Sequence, residues 1–271
     1  MRAVEQIKNA DIYTTILAFL YILAAVGIYA FGISALVTLV VSTIAAVVAE
    51  SAAYAVRKRP ITLRNLRKAL ITAALAGFLV PPGSALYVPA FVAAAAILSK
   101  HVLHLPKKKH IFNPAAFGAL VGSLVFAFPA VWWGTISPGL VWALGVVLIY
   151  KFKRLELPVA LLITYSVFST IGFYTGLSTA RVDSVLLSNI PLIMMAFFMA
   201  PEPVTSPFTR NGRIAFGVLS GISVFVLGFV GGFDALLGGL LLANIFTQPI
   251  NRMMLRRAKP TAQPQSQISL G

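Results

Sequence analysis

Residues 12–56 read IYTTILAFLYILAAVGIYAF (12–31), then Gly32, then ISALVTLVVSTIAAVVAESAAYAV (33–56), and this stretch decides the fold class. Each run is long enough to cross a hydrocarbon layer of about 30 Å at about 1.5 Å per residue. Lipid offers the backbone no hydrogen-bond partner, and the strict alternation of a membrane barrel strand is missing. The stretch therefore predicts two membrane-spanning helices.

Similar apolar runs continue along the chain, which has 271 residues, 59% of them hydrophobic and 11% charged. The predicted segments are 12–31, 33–56, 69–80, 86–104, 113–131, 137–150, 157–177, 186–200, 212–230 and 233–250. We predict an all-α integral membrane protein with about ten transmembrane segments. Residues 12–252 form a single polytopic membrane domain between a cytoplasmic N-terminus (1–11) and a cytoplasmic tail (253–271) that is expected to be disordered.

Positive charge is confined to short clusters between the apolar runs, although the net charge is +15. In a membrane protein this is a topology signal rather than a nucleic-acid surface. If the N-terminus is cytoplasmic and every segment crosses, all basic residues except Arg181 fall on one side. The pattern predicts a multi-pass protein of the cell membrane with both termini in the cytoplasm. The lack of cysteine excludes disulfides, thiolate metal sites, iron–sulfur clusters and cysteine catalysis.

Two of the predicted segments are short and end in proline. Segment 69–80 runs into PPG (81–83) and segment 186–200 runs into PEP (201–203), so both are predicted to be broken half-helices. They are the third and eighth segments, which are equivalent positions in a five-plus-five inverted repeat. Broken helices are tolerated in lipid only where their free carbonyls face protein, water or a ligand.

A second pair of similar segments is AAFGALVGSLVF (115–126) and IAFGVLSGISVF (214–225). Both enter from the predicted cytoplasmic side, so they are not an inverted pair. Each carries two glycines four residues apart: Gly118 with Gly122, and Gly217 with Gly221. Such small residues let neighbouring helices approach closely.

Intramembrane charge is rare in this chain, and each instance is a candidate site. Glu50, inside the second segment, has three interpretations: a proton or cation site, a partner for a basic residue, or a carboxylate near the inner interface. Glu202 lies between Pro201 and Pro203, where helix cannot continue and carbonyls are left free. A functional role is the favoured interpretation for Glu202.

Polar residues near Glu202 and in two other segments complete the candidate site. Three hydroxyls, from Thr205, Ser206 and Thr209, lead into the ninth segment and suit a polar ring system or a phosphate, or else an ordinary capped loop. Asn113 before Pro114 reads as an N-cap with a free amide, and Asn244 either bridges helices or contacts a ligand.

Three histidines, His101, His104 and His110, flank the lysine cluster at 107–109. Because no acidic residue is near them in the sequence, they are predicted to be solvated or lipid-facing rather than metal ligands.

The sequence resembles the RnfD/NqrB family, the membrane subunits of the Rnf complex and of the sodium-pumping NADH:quinone oxidoreductase. The similar blocks are ALITAALAGFLVPPGS (69–84), SKHVLHLPKKKHIFNPAAFG (99–118), FFMAPEPVTSPFTRNGRIAFG (197–217) and LLLANIFTQPIN (240–251). The resemblance implies a ten-helix fold related to ammonium and urea channels, a flavin cofactor, and electron transfer coupled to ion movement. The family's outer loop, which carries a threonine that binds FMN covalently, is reduced here to VWWGTIS (131–137), with Thr135 as its one threonine.

The resemblance implies a noncovalent flavin, riboflavin or FMN, beside Asn113, Pro114, the 202–209 loop and Asn244. The residues of that loop assigned to the site are Glu202, Pro203, Thr205, Ser206 and Thr209. Electrons would come from a cytoplasmic NAD(P)H-oxidising flavoprotein and leave to a quinone or another acceptor, coupled to Na⁺ or H⁺ movement. The alternative is a channel or transporter for a small solute or cation without a cofactor, and a scaffold subunit without a site is a third interpretation.

Overall fold

The computed structural model describes residues 11–105, 109–177 and 189–258, with the backbone alone for 109, 257 and 258. Within these ranges it contains ten α-helices. They are α1 (Ile12–Phe31), α2 (Ile33–Val56), α3 (Leu63–Leu79), α4 (Tyr87–Val102), α5 (Pro114–Phe126), α6 (Pro138–Phe152), α7 (Glu156–Tyr174), α8 (Ile190–Met194), α9 (Arg210–Leu227) and α10 (Ala235–Ala258). Each predicted segment corresponds to one of these helices.

The length predicted for the third segment is wrong. Helix α3 begins at Leu63 rather than at residue 69, because Thr62 caps it by accepting a hydrogen bond from the backbone N–H of Asn65. Its 17 residues extend about 25 Å, so α3 has more than the length of a half-helix. Its first turns carry basic residues that an apolar window passes over.

The eighth segment, in contrast, is short in the described residues. Helix α8 has five residues and continues as a π-helical turn, Met195–Met199, before Pro201 ends it. A π-helical turn of this kind often marks a functional site. The start predicted for this segment, residues 186–188, lies outside the described residues.

One further boundary differs from the prediction. Helix α10 passes residue 252 and ends at Ala258, with Pro249 inside it, so residues 253–258 of the predicted tail are helical, and the division into membrane domain and cytoplasmic tail stays a prediction. Residues 259–271 and 1–10, the rest of the predicted termini, lie outside the described residues. The all-α prediction also did not include a pair of two-residue strands around the lysine cluster. In this pair, β1 (His104–Leu105) is antiparallel to β2 (Lys109–His110).

The helices have the lengths and surfaces of a membrane protein. Helices α1, α2 and α7 are long and apolar enough to cross a membrane, judged by length and composition, and the shorter α4, α5, α6 and α8 with its π-turn are also apolar. Large aliphatic side chains such as Ile33, Ile44 and Ile163 point outward and are exposed, as expected on surfaces that face lipid. The chain is therefore a multi-pass membrane protein; the number of crossings stays a prediction.

Helix packing recurs with an offset of five helices. In the first half α2 packs on α3 and α4, α4 packs on α5, and α1 packs on α3. In the second half α7 packs on the π-turn and α9, α9 packs on α10, and α6 packs on α8. Five is an odd number, so the two halves have opposite directions if every helix crosses. This is the pattern expected of the five-plus-five inverted repeat.

The start of the fifth helix in each half shows the same relation residue by residue. The side chain of Asn113 accepts a hydrogen bond from the N–H of Ala116 at the start of α5, and that of Asp234 accepts one from the N–H of Leu237 at the start of α10. A phenylalanine precedes each of these caps. The two N-caps are therefore structural counterparts, one amide and one carboxylate.

Small residues bring helices together as the sequence predicts. A methyl group on Gly118 of α5 would lie 2.6 Å from the Cβ atom of Ala96 on α4, and one on Gly217 of α9 would lie 2.5 Å from the carbonyl oxygen of Leu157 on α7. Both distances are far below van der Waals contact. The prediction of close packing at both glycine pairs is confirmed.

The connection between α5 and α6 folds back onto the end of α3. The indole of Trp133 donates a hydrogen bond to the carbonyl oxygen of Gly77 at 2.8 Å, and the N–H of Val131 donates one to that of Leu79 at 3.2 Å. Neighbouring Trp132 has a left-handed φ of 55° and donates its indole N–H to Asp234 at 2.8 Å. The free carbonyls at the proline break of α3 therefore face protein.

Candidate functional site

Ion pairs and a hydrogen bond join the helix ends that carry basic residues, and these contacts lie at one end of the bundle. Arg67 pairs with Asp11 at 3.5 Å, which joins the starts of α3 and α1, and Arg213 pairs with Glu156, which joins the starts of α9 and α7. Arg57 donates to the carbonyl oxygen of His101 at 2.7 Å, which joins the ends of α2 and α4. We call this region, where α1, α3, α5, α7 and α9 begin, the basic end. Its orientation toward the cytoplasm stays a prediction.

Glu202 is the centre of a hydrogen-bond network at the basic end. Its Oε1 atom lies 3.1 Å from Nε2 of His110 on β2, and its Oε2 atom accepts from the amide of Asn113 at 3.1 Å and from the hydroxyl of Thr205 at 3.3 Å. Both carboxylate oxygens are thus engaged. We call Glu202, His110, Asn113, Thr205 and Asn244 the Glu202 network.

Asn113 joins the two halves of the protein at this network. Its amide also donates to the carbonyl oxygen of Met199 at 3.2 Å, beside the N–H of Glu202, which donates to the same oxygen at 3.3 Å. Its own N–H donates to Oδ1 of Asn244 at 2.8 Å, and Asn244 donates to the carbonyl oxygen of Thr205 at 3.2 Å. Asn113 and Asn244 are 2% and 1% exposed, so Asn244 acts here as a bridge between helices.

The loop that follows Glu202 is also fixed by the connection between α6 and α7 and by α10. Arg154 donates to the hydroxyl of Ser206 at 2.7 Å, and the hydroxyl of Thr247 donates to the carbonyl oxygen of Thr205 at 2.6 Å. Burial lowers the pKa of the Arg154 guanidinium, Arg213 lowers it further, and Glu156 opposes the shift. Thr205 and Ser206 are fully buried, so their hydroxyls hold the loop rather than face solvent.

Thr209 differs from the other predicted site residues. Its hydroxyl accepts a hydrogen bond from the N–H of Gly212 at 3.1 Å and caps α9. Thr209 does not line the cavity described below. Capping of α9 is therefore the role that its contacts show.

The Thr209→Ala variant is expected to lose about 1 kcal/mol of stability, the usual effect of removing an N-cap. Ligand content should remain that of the wild type. The measurement is an SDS unfolding curve of the purified protein alongside its cofactor content, and a large loss of bound ligand at unchanged stability would contradict this role.

A cavity of about 90 Å³ opens beside the Glu202 network, between α1, α3, α4, α5 and the loop after α8. Asn113, Pro114, Glu202 and Pro203 contribute to its wall. The remaining polar side chains of the wall are Lys68, Thr72, Lys100 and His110, together with Tyr13. The structure thus brings all the predicted site residues except Thr209 to this cavity or to the hydrogen bonds behind it.

Glu50 lies in a second charged cluster that borders the cavity. It is 4% exposed, and its Oε2 atom lies 3.2 Å from Nζ of Lys100 and 3.1 Å from Nε2 of His101 on α4. Of its three interpretations, the geometry supports the partner for a basic residue. In the described part of the chain, no group of three or more metal-ligating side chains is present.

The prediction that the histidines are solvated or lipid-facing is wrong for His101 and His110. Each ring lies 3.1 Å from a carboxylate, Glu50 and Glu202 respectively. The acidic partners are 51 and 92 residues away along the chain, so their proximity leaves no local sequence signal.

The model of the NQR2, RnfD, RnfE family matches the chain at residues 3–138 and 132–259. The chain belongs to this family. The two matched stretches meet at 132–138, in the connection between α5 and α6, where the sequence departs from the pattern of the RnfD/NqrB proteins. The resemblance inferred from the sequence blocks is thereby confirmed.

Curated relatives of the family are bacterial proteins named as the RnfD component of an ion-translocating oxidoreductase complex. The chain is 39% identical to the Citrobacter koseri protein over 108 residues, which are 38% of this chain and 31% of the relative. It is 35% identical to a Haemophilus influenzae protein over 103 residues, 37% and 28% of the two chains, and 32% identical to an Escherichia coli protein over 96 residues, 35% and 27%. The matched segment thus spans about a third of the length of these relatives.

The cavity of this RnfD-like chain fits a flavin in chemistry but not in its present volume. An amide, a carboxylate and ammonium groups face it, as a flavin's polar edge requires, and Phe198 and Leu75 give apolar walls. However, about 90 Å³ is well below the roughly 300–1,000 Å³ of typical ligand pockets. The tricyclic ring does not enter without movement of the surrounding helices.

Thr135 of the outer connection is a poor candidate for covalent FMN attachment. Its hydroxyl donates a hydrogen bond to the carbonyl oxygen of Trp132 at 2.7 Å, inside the 3₁₀ turn Trp133–Thr135. The side chain is partly buried in the folded-back connection. The noncovalent flavin expected from the sequence stays a prediction.

Proposed function

We propose that this protein is the membrane subunit of an ion-translocating electron transport complex, and that it holds a noncovalent flavin at the cavity of the basic end. The observation that carries the proposal is the family match across the chain together with the Glu202 network, in which residues of both halves fix one loop. The named relatives are subunits of such complexes.

In this role the side chains of the protein would position the flavin rather than take part in the redox reaction. The Glu202 network would hold the 202–206 loop in one conformation while the helices around the cavity move apart to admit the ring. Asn113 and Glu202 are the groups that would contact the ring's polar edge. The flavin, when bound, supplies the one- and two-electron redox chemistry.

The basic end suits an acidic cytoplasmic partner. Arg57, Lys58 and Arg64 are exposed there, and complementary charge speeds and orients association. The proposed donor is an NAD(P)H-oxidising flavoprotein docked at this end. The proposed acceptor is a quinone or another carrier, with Na⁺ or H⁺ as the coupled ion.

The absorption spectrum of the protein purified from flavin-replete cells tests this proposal. A flavin band that is released by acid, in a stoichiometric amount, is the expected result because the hydroxyl of Thr135, the one threonine of the outer connection, is engaged by the carbonyl oxygen of Trp132. A colourless preparation from such cells would overturn the flavin role. The Thr135→Val variant should keep the full flavin content and serves as the control for attachment at the outer connection.

A channel or transporter is the second candidate function. The small cavity beside a broken helix in a repeat of opposed halves favours it, because discontinuous helices form the solute sites of transporters with that architecture. Flux of a small cation or neutral solute through liposomes that contain colourless protein would support it. Flavin-containing protein without such flux would exclude it.

A further inference from the structure

Lys100 is a buried ammonium group with few protein partners. Its side chain is 11% exposed, and its Nζ atom lies 3.2 Å from Oε2 of Glu50. An ammonium group carries three N–H donors, and within the described residues Glu50 supplies its one acceptor. Lys100 also lines the cavity. The N–H donors of Lys100 that do not bond Glu50 need another acceptor, because a buried charge without hydrogen bonds is costly.

Lys68 brings a second positive charge to the same cavity. Its Nζ atom lies 5.2 Å from the ring centroid of Tyr13, a cation–π contact that keeps the side chain near the cavity. No carboxylate pairs with Lys68 in the part of the chain that the structure describes. Both lysines are therefore available to a negatively charged group.

The helix N-termini around the cavity also favour an anion, and the acidic side chains there are already engaged by protein donors. The first residues of α1 and α5 contribute to the wall, and the N-terminus of a helix carries a partial positive charge. Glu202 has both oxygens engaged by its network, and Glu50 is bound to Lys100 and His101. Both carboxylates are thus held by protein donors.

Polarity falls along the cavity away from the lysines. Lys68 of α3 is followed, one and two turns deeper in the helix, by Ile71 and Leu75, and Ile16 of α1 also lines the cavity. A ligand that matches this gradient has a charged head and an apolar body. The present cavity has room for a phosphate group although not for three fused rings.

We propose that Lys68 and Lys100 form a site for the negatively charged phosphate group of an amphiphilic ligand, whose apolar part lies along Ile16, Ile71 and Leu75. Glu50 is a positioning residue, because its carboxylate holds the Lys100 ammonium at the cavity wall. This role accounts for a buried acid inside an otherwise apolar helix. The ligand is either FMN or an anionic phospholipid of the inner leaflet, and the FMN case rests on the proposed function.

Two binding comparisons with the purified full-length protein test the site. One compares FMN with riboflavin, which lacks the phosphate, by equilibrium dialysis. The other compares phosphatidylglycerol with zwitterionic phosphatidylcholine, supplied in equal amounts, by native mass spectrometry. The wild type should prefer the anionic member of at least one pair about tenfold, as expected for charge-assisted hydrogen bonds.

The Lys100→Met and Lys68→Met variants should each abolish that preference, and Lys100→Arg should keep most of it. Glu50→Gln should weaken it because Lys100 loses its anchor. The matched control is Lys58→Met, which removes an exposed lysine of the basic end. Lys68 has no ion pair to break among the described residues, so its variant tests the site even if Lys100→Met fails to fold.

The pair that shows the lysine-dependent preference identifies the source of the phosphate. Preference for phosphatidylglycerol in colourless protein would support the phosphate site while contradicting the flavin role. A wild type without preference in either pair, or variants that keep the wild-type preference, would overturn the proposal.

Discussion

The Gly118→Ala variant is expected to lose about 3 kcal/mol of stability, or to fail to accumulate, because the added methyl group has no space. It would press on the backbone carbonyl of Val92 and lie 2.6 Å from the Cβ atom and 2.7 Å from the N atom of Ala96. Two of these three contacts are with backbone, so no flexible side chain can move aside. Overpacking of this kind typically costs about 1–3 kcal/mol, and rigid neighbours place it at the upper end.

The matched control is Gly139→Ala, at the start of α6. A methyl group there has no neighbour within 4 Å, and alanine is a better helix former than glycine by roughly 1 kcal/mol. An SDS unfolding curve in mixed micelles measures both variants. Equal stability of Gly118→Ala and wild type would show that α4 and α5 are not packed as closely as the structure has them.

The Asn113→Ala variant is expected to be destabilised by about 3 kcal/mol and to lose most of any ligand bound in the cavity. The change leaves the N–H of Ala116 without its partner, removes one donor from Glu202, and leaves the carbonyl oxygen of Met199 with the N–H of Glu202 as its remaining donor. Each buried polar group left unsatisfied costs about 1–3 kcal/mol. Insertion into the membrane should persist, because the apolar segments are unchanged.

Asn189→Ala is the control for this second variant. Asn189 caps α8 by accepting from the N–H of Leu192, so its loss should cost only about 1 kcal/mol. Thr205→Val should also be mild, because the strong acceptor of Thr205 is its backbone carbonyl, whereas its hydroxyl donates at 3.3 Å. If Asn113→Ala is no less stable than Asn189→Ala, the network contributes nothing beyond a helix cap.

Hydropathy located the ten helices because the signal for an apolar span is local. It missed the first six residues of α3, where Arg64, Arg67 and Lys68 lie on a helix begun by a Thr62 cap. The last turns of α10 were missed for the same reason, since they are helical but polar. An apolar window reports where a chain meets lipid rather than where its helix begins or ends.

The sequence indicated which residues belong to the candidate site, but not which of them form hydrogen bonds or ion pairs with one another. Asn113, Glu202 and Asn244 stand out as polar groups in apolar or proline-rich segments, and the structure joins them through direct hydrogen bonds. Lys100 and His101 gave no such signal, because their partner Glu50 comes from another helix. Helix-to-helix contacts of this kind depend on the packing of the whole bundle.

The tryptophans give the protein an intrinsic fluorescence signal: two of them lie in the folded-back connection between α5 and α6, and the third lies in α6. The chain has three tryptophans: Trp133 binds the broken end of α3, Trp132 binds the cap of α10, and Trp142 packs edge-on against Phe197 of the π-helical turn. Every indole thus touches a helix break or the cap of the last helix. Its intrinsic fluorescence would therefore follow relative motion of the two halves without an introduced dye.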